Sequence, residues 1–178
     1  MSKIALTPNA SGTGTLTIAA PNTSTDRTLT LPDSTGTIDT LGRAGNVLQV
    51  VQSTTITQTT SSSTSYVSVS LSASITPSST SNKVLVLVNA PVQVATGGEF
   101  RGTIYRDSTD IAPASDGLFY LNSGTSATRV SGSSMSILDS PSSTSSITYS
   151  ARMKTSGVEG VFNKGSAYAQ ITLMEIAG

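Results

Sequence analysis

The residues best placed to do chemistry are three aspartates: Asp107 and Asp110 lie around a turn, and Asp116 follows. Such carboxylates suit Ca²⁺, a hard cation that collects about six to eight oxygens. The spacing lacks the Asp-x-Asp-x-Asp-Gly run of a calcium loop and the glutamate that would close it. Solvated loop aspartates that bond their own backbone explain the trio more simply. A glycosidase would need two carboxylates flanking a sugar, and nothing in the sequence marks a pair. Gly12-Thr13-Gly14 and Thr96-Gly97-Gly98 are turns rather than phosphate loops, since no Lys-Ser/Thr follows them. The hydroxyl-rich stretches Thr59–Ser65 and Ser142–Ser146 read as exposed loops. They cannot supply an activated nucleophile, because no side chain is available as its base.

The absences behind that statement are firm. The 178 residues contain no His, no Cys and no Trp. Ser-His-Asp and Cys-His sets are therefore excluded, as are disulfides, zinc thiolate sites and nearly all transition-metal centres. No catalytic residue, metal site or cofactor is assigned, and the chain is expected not to be an enzyme. Among the aromatics, Phe119-Tyr120 are neighbours in an expected strand, so one points inward and the other outward. An outward Tyr near Arg101 or Asp107 could stack on a sugar, or simply cover a sheet edge.

Charge narrows the partners. Ten Lys and Arg balance ten Asp and Glu, and charged residues make up only 11% of the chain, against about 25% in ordinary domains. Without a basic excess, neither nucleic acid nor an anionic membrane is an expected partner. No run approaches the ~18 apolar residues of a membrane span. The start, Met1 to Pro8, has one positive charge and no apolar core, so a secretory signal is not expected and synthesis in a cytoplasm is.

The elements that must carry these residues are strands. Helical periodicity is nearly absent, while period-two alternation of Val, Ile, Leu, Thr and Ser runs through the chain. Roughly a third of the residues are Ser or Thr, yet the alternating apolar positions argue against disorder. Residues 47–178 are expected to form one all-β domain, a β-sandwich or jelly roll. Its strands are expected at Val47–Gln52, Thr54–Gln58, Tyr66–Ile75, Lys83–Val88, Val92–Ala95, Phe100–Arg106, Leu118–Leu121, Ser133–Leu138, Ile147–Lys154, Gly160–Phe162 and Tyr168–Ile176. The apolar run Val84–Val88 should be a central strand buried on both faces. Tyr66–Leu71 alternates strictly and should be half exposed.

Residues 1–46 differ. Thr15-Leu16-Thr17-Ile18 and Thr28-Leu29-Thr30-Leu31 are two short alternating units, each closely followed by Pro, and Thr35-Gly36-Thr37-Ile38 makes a third. One such arm cannot bury enough surface to offset an ordering cost of ~1–2 kcal/mol per residue. Three copies about one axis could pool their narrow apolar faces, so a short trimeric β stalk is expected. The alternative is a flexible arm. Leu41–Asn46 reads as the hinge.

Particular segments carry a resemblance. Thr13-Gly14-Thr15-Leu16-Thr17-Ile18-Ala19-Ala20-Pro21-Asn22-Thr23 and Arg27–Ile38 resemble segments recurring in tail-fibre and virion structural proteins of tailed phages, notably those of cyanobacteria and marine bacteria. Asn46–Gln52, Ile75–Val86, Leu138-Asp139-Ser140-Pro141 and the ending Ile171–Gly178 are similar to parts of the same proteins. The resemblance implies a homotrimer with a head similar to C1q/TNF-type jelly rolls. It implies a short tail fibre, located in the virion, that attaches by its N-terminus and adsorbs to a host surface glycan. A capsid decoration protein, or an adaptor within the tail, is the alternative reading.

In the fibre reading the loops 96–99, 107–116 and 121–129 face the host. Their candidate receptor-facing residues, with neighbours, are Glu99, Arg101, Asp107, Asp110, Asp116, Tyr120 and Arg129. Lys3, Ile4 and Leu6, alternating before Pro8, are candidates for virion docking by adding a strand to another protein's sheet edge.

Overall fold

The computed structural model describes residues 11–15, 17, 19, 22–26, 28, 43–165 and 167–178. The chain divides into two units, Met1–Ile38 and Asp39–Gly178. Of the expected stalk strands, Thr15, Thr17 and Thr28 are described; they are exposed and in no strand. Most of the expected stalk lies outside the described residues, as do Lys3, Ile4 and Leu6.

The second unit contains eleven strands and, among its described residues, no helix. They are β1 (Val47–Thr55), β2 (Thr59–Ser61), β3 (Val67–Ile75), β4 (Lys83–Val94), β5 (Glu99–Arg106), β6 (Thr109–Asp110), β7 (Phe119–Asn122), β8 (Arg129–Asp139), β9 (Ile147–Thr155), β10 (Gly160–Phe162) and β11 (Ala169–Ile176). All pair antiparallel, in two sheets. Sheet A runs β1-β11-β4-β10-β2, with β8 along the other edge of β4; sheet B runs β3-β9-β5-β6, with β7 also on β5. The two sheets enclose one core, which makes the unit an antiparallel β-sandwich.

The alternation legible in the sequence becomes the burial pattern. On β4, Val84, Val86, Val88, Ala90, Val92 and Val94 point inward and are all but completely buried. From sheet B they meet Leu71, Phe100, Ile104, Met153 and the fully buried Tyr149. On β3, buried Val69, Leu71, Ala73 and Ile75 alternate with exposed Ser68, Ser70, Ser72 and Ser74, as expected for a half-exposed strand.

Two expectations about β4 need correction. It is one strand of 12 residues rather than two strands broken at Asn89–Pro91. Proline in a central strand lacks a ladder donor, but Pro91 falls where no donor is needed. β11 pairs with β4 only as far as Asn89, and β10 pairs with it from Val92. In the gap between them the Pro91 carbonyl accepts from the Lys164 amide at 3.0 Å. Nor is Val84–Val88 buried on both faces. Leu85 and Leu87 lie on the outer face of sheet A and are half-buried, because among the described residues no second layer covers that face. Thr59–Ser61, expected in a loop, pairs with β10 as β2.

Two polar clasps close one end of the sandwich, where Asp139 of β8 and Glu175 of β11 flank Val84 of β4 in register. Asp139, at the end of β8, receives Arg106 Nη1 from β5 at 2.9 and 3.0 Å and the Tyr149 hydroxyl from β9 at 2.6 Å, so it ties sheet A to sheet B. Burial, reinforced by the Asp139 carboxylate, pushes the Tyr149 hydroxyl's pKa up. The second clasp centres on Glu175, an inward residue of β11 that is 1% exposed. Its carboxylate accepts from Gln49 Nε2 (2.5 Å), Asn82 Nδ2 (2.6 Å), the Ser78 amide (2.7 Å) and the Ser78 hydroxyl (2.8 Å). Burial acts to raise its pKa, but these four donors prevail and bring it down to about 2.

A carboxylate with a lowered folded pKa stabilises the fold above its ordinary pKa, and that contribution is lost as pH falls through the folded value. The Glu175 contribution is therefore full at neutral pH and disappears between about pH 4.5 and about pH 2. Glu175→Gln should lower the unfolding free energy at pH 7 by about 2–3 kcal/mol, since charge-assisted bonds are weakened and an amide NH₂ faces donors. Urea titrations should show the difference shrinking as the pH approaches 2. An unchanged midpoint at pH 7 would remove Glu175 from the account of stability.

Candidate functional site

The outer face of sheet B gathers the charged and aromatic side chains. Strand alternation puts Arg101, Thr103 and Tyr105 of β5 on the side opposite the inward Phe100 and Ile104. On β9, Thr148, Ser150, Arg152 and Lys154 are likewise opposite buried Tyr149, Ala151 and Met153. Register then aligns Lys154, Arg101 and Tyr120 across β9, β5 and β7. Tyr66, the residue before β3, closes this row, with Lys154 Nζ 4.5 Å from its ring centre.

Three cations lie over three rings. Besides the Lys154–Tyr66 pair, Arg152 lies 4.2 Å from the Tyr105 ring centre and Arg101 lies 5.2 Å from that of Tyr120. Tyr66 and Tyr105 themselves meet edge to face at 6.3 Å. Each cation–ring contact contributes on the order of 0.5–1 kcal/mol at an exposed site. Together they hold long side chains flat against the sheet.

Arg101 is the hub of the β5–β7 side. Its Nη2 is 2.7 Å from Glu99 Oε2 and its Nε donates to Asp116 Oδ1 at 2.8 Å. Tyr120 donates its hydroxyl to Glu99 Oε1 at 2.8 Å, and Asn122 Nδ2 donates to that hydroxyl's oxygen at 3.1 Å. The hydrogen bond from Tyr120, followed by that from Arg101, lowers the Glu99 pKa. The Asp116 bond, with help from Glu99, raises that of Arg101.

Asp116 reaches Arg101 because the segment after β6 folds back over β5. The Leu118 amide donates to the Gly102 carbonyl at 2.8 Å. Gly117 sits at φ +68, and a Cβ there would run into the Gly102 carbonyl and lie 2.7 Å from the Tyr66 hydroxyl oxygen. Only glycine fits that approach.

Of the residues singled out in the sequence, Glu99, Arg101, Asp116 and Tyr120 come together in this cluster. Asp110 is on the same sheet, accepting from the Thr103 hydroxyl and the Ala112 amide, both at 3.0 Å. Asp107 lies away from them in the β5–β6 turn, at φ 52, where its carboxylate accepts from the Thr148 amide at 3.0 Å. Arg129 is exposed at the first residue of β8, in sheet A. Sequence reasoning missed Tyr66, Tyr105, Arg152 and Lys154 as part of this face. The signal was present in Tyr149–Lys154, where strict alternation puts both cations on one side, but which side faces solvent depends on the packed core. Among the described residues no cluster of three or more potential metal-ligating His, Cys, Asp or Glu side chains forms.

Tyr120→Phe removes the hydroxyl donor that favours ionised Glu99. The Glu99 carboxyl should then titrate at a higher pH than in the parent protein, as followed by carboxyl-carbon NMR. The fold should be intact, because Tyr120 is 44% exposed. An unshifted titration would show that Arg101 alone sets the carboxyl's ionisation.

Compared with known proteins, the chain matches no family model and no curated protein.

Proposed function

We propose that the chain is a virion structural protein of a tailed phage. In this reading it is a short trimeric tail fibre whose N-terminal segment docks to the virion and whose jelly-roll head adsorbs to a host surface glycan. The observation that carries the reading is the unequal chemistry of the two outer faces. Sheet B presents the cation–aromatic cluster. Sheet A presents a face nearly without charge, crossed by an apolar row: Val50, Met174, Leu85 and Leu138 are aligned by register across β1, β11, β4 and β8. Val50 is 57% exposed and Leu138 52%. Beyond that row the face carries Gln52, Thr54, Thr172, Gln170, Asn89 and Ser134, none of them ionisable. A contiguous apolar row on a sheet face whose β4 carries one charge, the exposed Lys83 at its end, is suited to packing against copies of itself.

The strand order supports the jelly-roll reading. Leaving aside the strands of two or three residues, sheet A reads β1-β11-β4-β8 and sheet B β3-β9-β5-β7, two four-stranded layers of the kind jelly rolls use. The carboxylates support a binding role over catalysis. Glu99 and Asp116 are engaged by Arg101, Asp139 by Arg106, and Asp107 and Asp110 by backbone amides. Glu99, with its lowered pKa, is ionised at neutral pH and poorly suited to act as a general acid.

Sedimentation equilibrium should return a trimer at micromolar concentration. Met174→Asp, which sets a charge in the middle of the apolar row, should weaken assembly by at least about tenfold while leaving the sandwich folded. A stable monomer of the parent protein at that concentration would overturn the proposed assembly. Antibody labelling of intact particles should mark the tail; signal over the capsid would favour the decoration role instead.

A further inference from the structure

We propose that the β9 side of sheet B is a binding site for an acidic polysaccharide, with the sugar carboxylates held by Arg152 and Lys154. This rests on the reading of the sandwich as a glycan-binding head and specifies the chemistry of its ligand. Arg101 and Arg106 are neutralised by Glu99, Asp116 and Asp139. Arg152 and Lys154 form no ion pair with any described carboxylate. They sit two residues apart on one face of β9 and are positioned by the rings of Tyr105 and Tyr66 rather than by counter-charges. Two fixed cations on one strand, neither in an ion pair with a described carboxylate, suit a ligand that brings its own negative charge.

Their surroundings narrow the ligand further. Beyond β9 lies β3, whose outward residues Ser68, Ser70, Ser72 and Ser74 are all exposed hydroxyls. Ser150 and Thr148 continue the hydroxyl surface along β9 itself. A flat array of small hydroxyls beside stacked rings matches a chain of sugar hydroxyls and ring faces. The same array presents no protruding apolar side chain for insertion among lipids, so a saccharide is favoured over an anionic membrane.

Two polar atoms of these same side chains are buried without a hydrogen-bond partner among the described residues. Arg152 Nε and the Tyr66 hydroxyl make no hydrogen bond to protein. Burial, followed by the nearby Asp110 carboxylate, pushes the Tyr66 pKa up to about 12, so the hydroxyl keeps its proton and is a donor at neutral pH.

The test uses the full chain and three probes: polygalacturonate, neutral dextran, and vesicles of phosphatidylglycerol with phosphatidylcholine. Binding to polygalacturonate alone, weakening as salt rises, is the expected result. Lys154→Gln and Arg152→Gln should each reduce it about tenfold, and Lys164→Gln, in the turn after β10, should not. If Arg152→Gln fails to fold, Lys154→Gln carries the test, since among the described residues that side chain forms no hydrogen bond or ion pair beside its ring contact. Equal losses in all three variants would show diffuse attraction and overturn the site, as would binding to vesicles in place of the uronate. Binding to dextran but not to polygalacturonate would overturn the acidic ligand while leaving the glycan-binding head intact. Binding to none of the probes would overturn the inference, and a chain that still assembled as a trimer would keep its structural role.

Discussion

The inward row of β4 is the constraint on which the sandwich depends. Five valines and one alanine, spaced two apart, fill the middle of a core that has no disulfide to assist it. Their β-branched side chains are stiff and favour the extended backbone. The row therefore promotes the strand and supplies its buried surface together. Because the period is two, a slip of one residue would turn every valine outward and carry Leu85, Leu87 and Gln93 into the core. The β8 and β11 registers are fixed by the same condition, and through them the rows of outward residues on sheet A. Shortening a core valine to alanine removes two methyl carbons, at roughly 1–2 kcal/mol each time, including the void left behind.

The alternation also explains how a chain so rich in Ser and Thr folds at all. In β3, serines occupy every outward position while Val69, Leu71, Ala73 and Ile75 face in. Polar content is confined to one face, so the buried face is as apolar as in an ordinary domain. Several of the few ionisable groups have defined places. Asp139 ties the two sheets together, Glu175 ties β11 to the β3–β4 turn, and Asp107 secures a hairpin to β9.

Most of the strand pattern was legible because a strand buried on one face and open to solvent on the other writes its period directly into the sequence. What was not legible depended on neighbours distant in the chain. Pro91 reads as a break until β10 and β11 are seen to leave a gap beside it. Glu175 reads as a minor interruption in an apolar final strand, since its four donors come from Gln49, Ser78 and Asn82. In the candidate site, Glu99, Arg101 and Tyr120 were found through loops and adjacent aromatics. Arg152, Lys154, Tyr66 and Tyr105 escaped because a cation in a strand has no local signal for stacking on a ring from another strand. The clustering of Asp116 with Arg101 was equally hidden, since it needs the backbone turn at Gly117.

The Glu175 clasp has a mechanical side. The segment entering the sandwich is bonded at once to the segment leaving it: the Gly45 amide donates to the Ala177 carbonyl at 2.8 Å, and the Ala177 amide to the Asn46 carbonyl at 2.9 Å. Two residues into β1, Gln49 grips Glu175, which in turn holds Ser78 and Asn82 of the β3–β4 turn. Tension arriving at Asn46 from the preceding chain therefore spreads at its point of entry from β1 to β11 and on to the β3–β4 turn. Peeling the edge strand away requires a buried, ionised carboxylate to be stripped of a donor before the next rungs of the ladder are loaded. Resistance to force is thereby concentrated at the first turn of the path, and acid that neutralises one glutamate would lower it there.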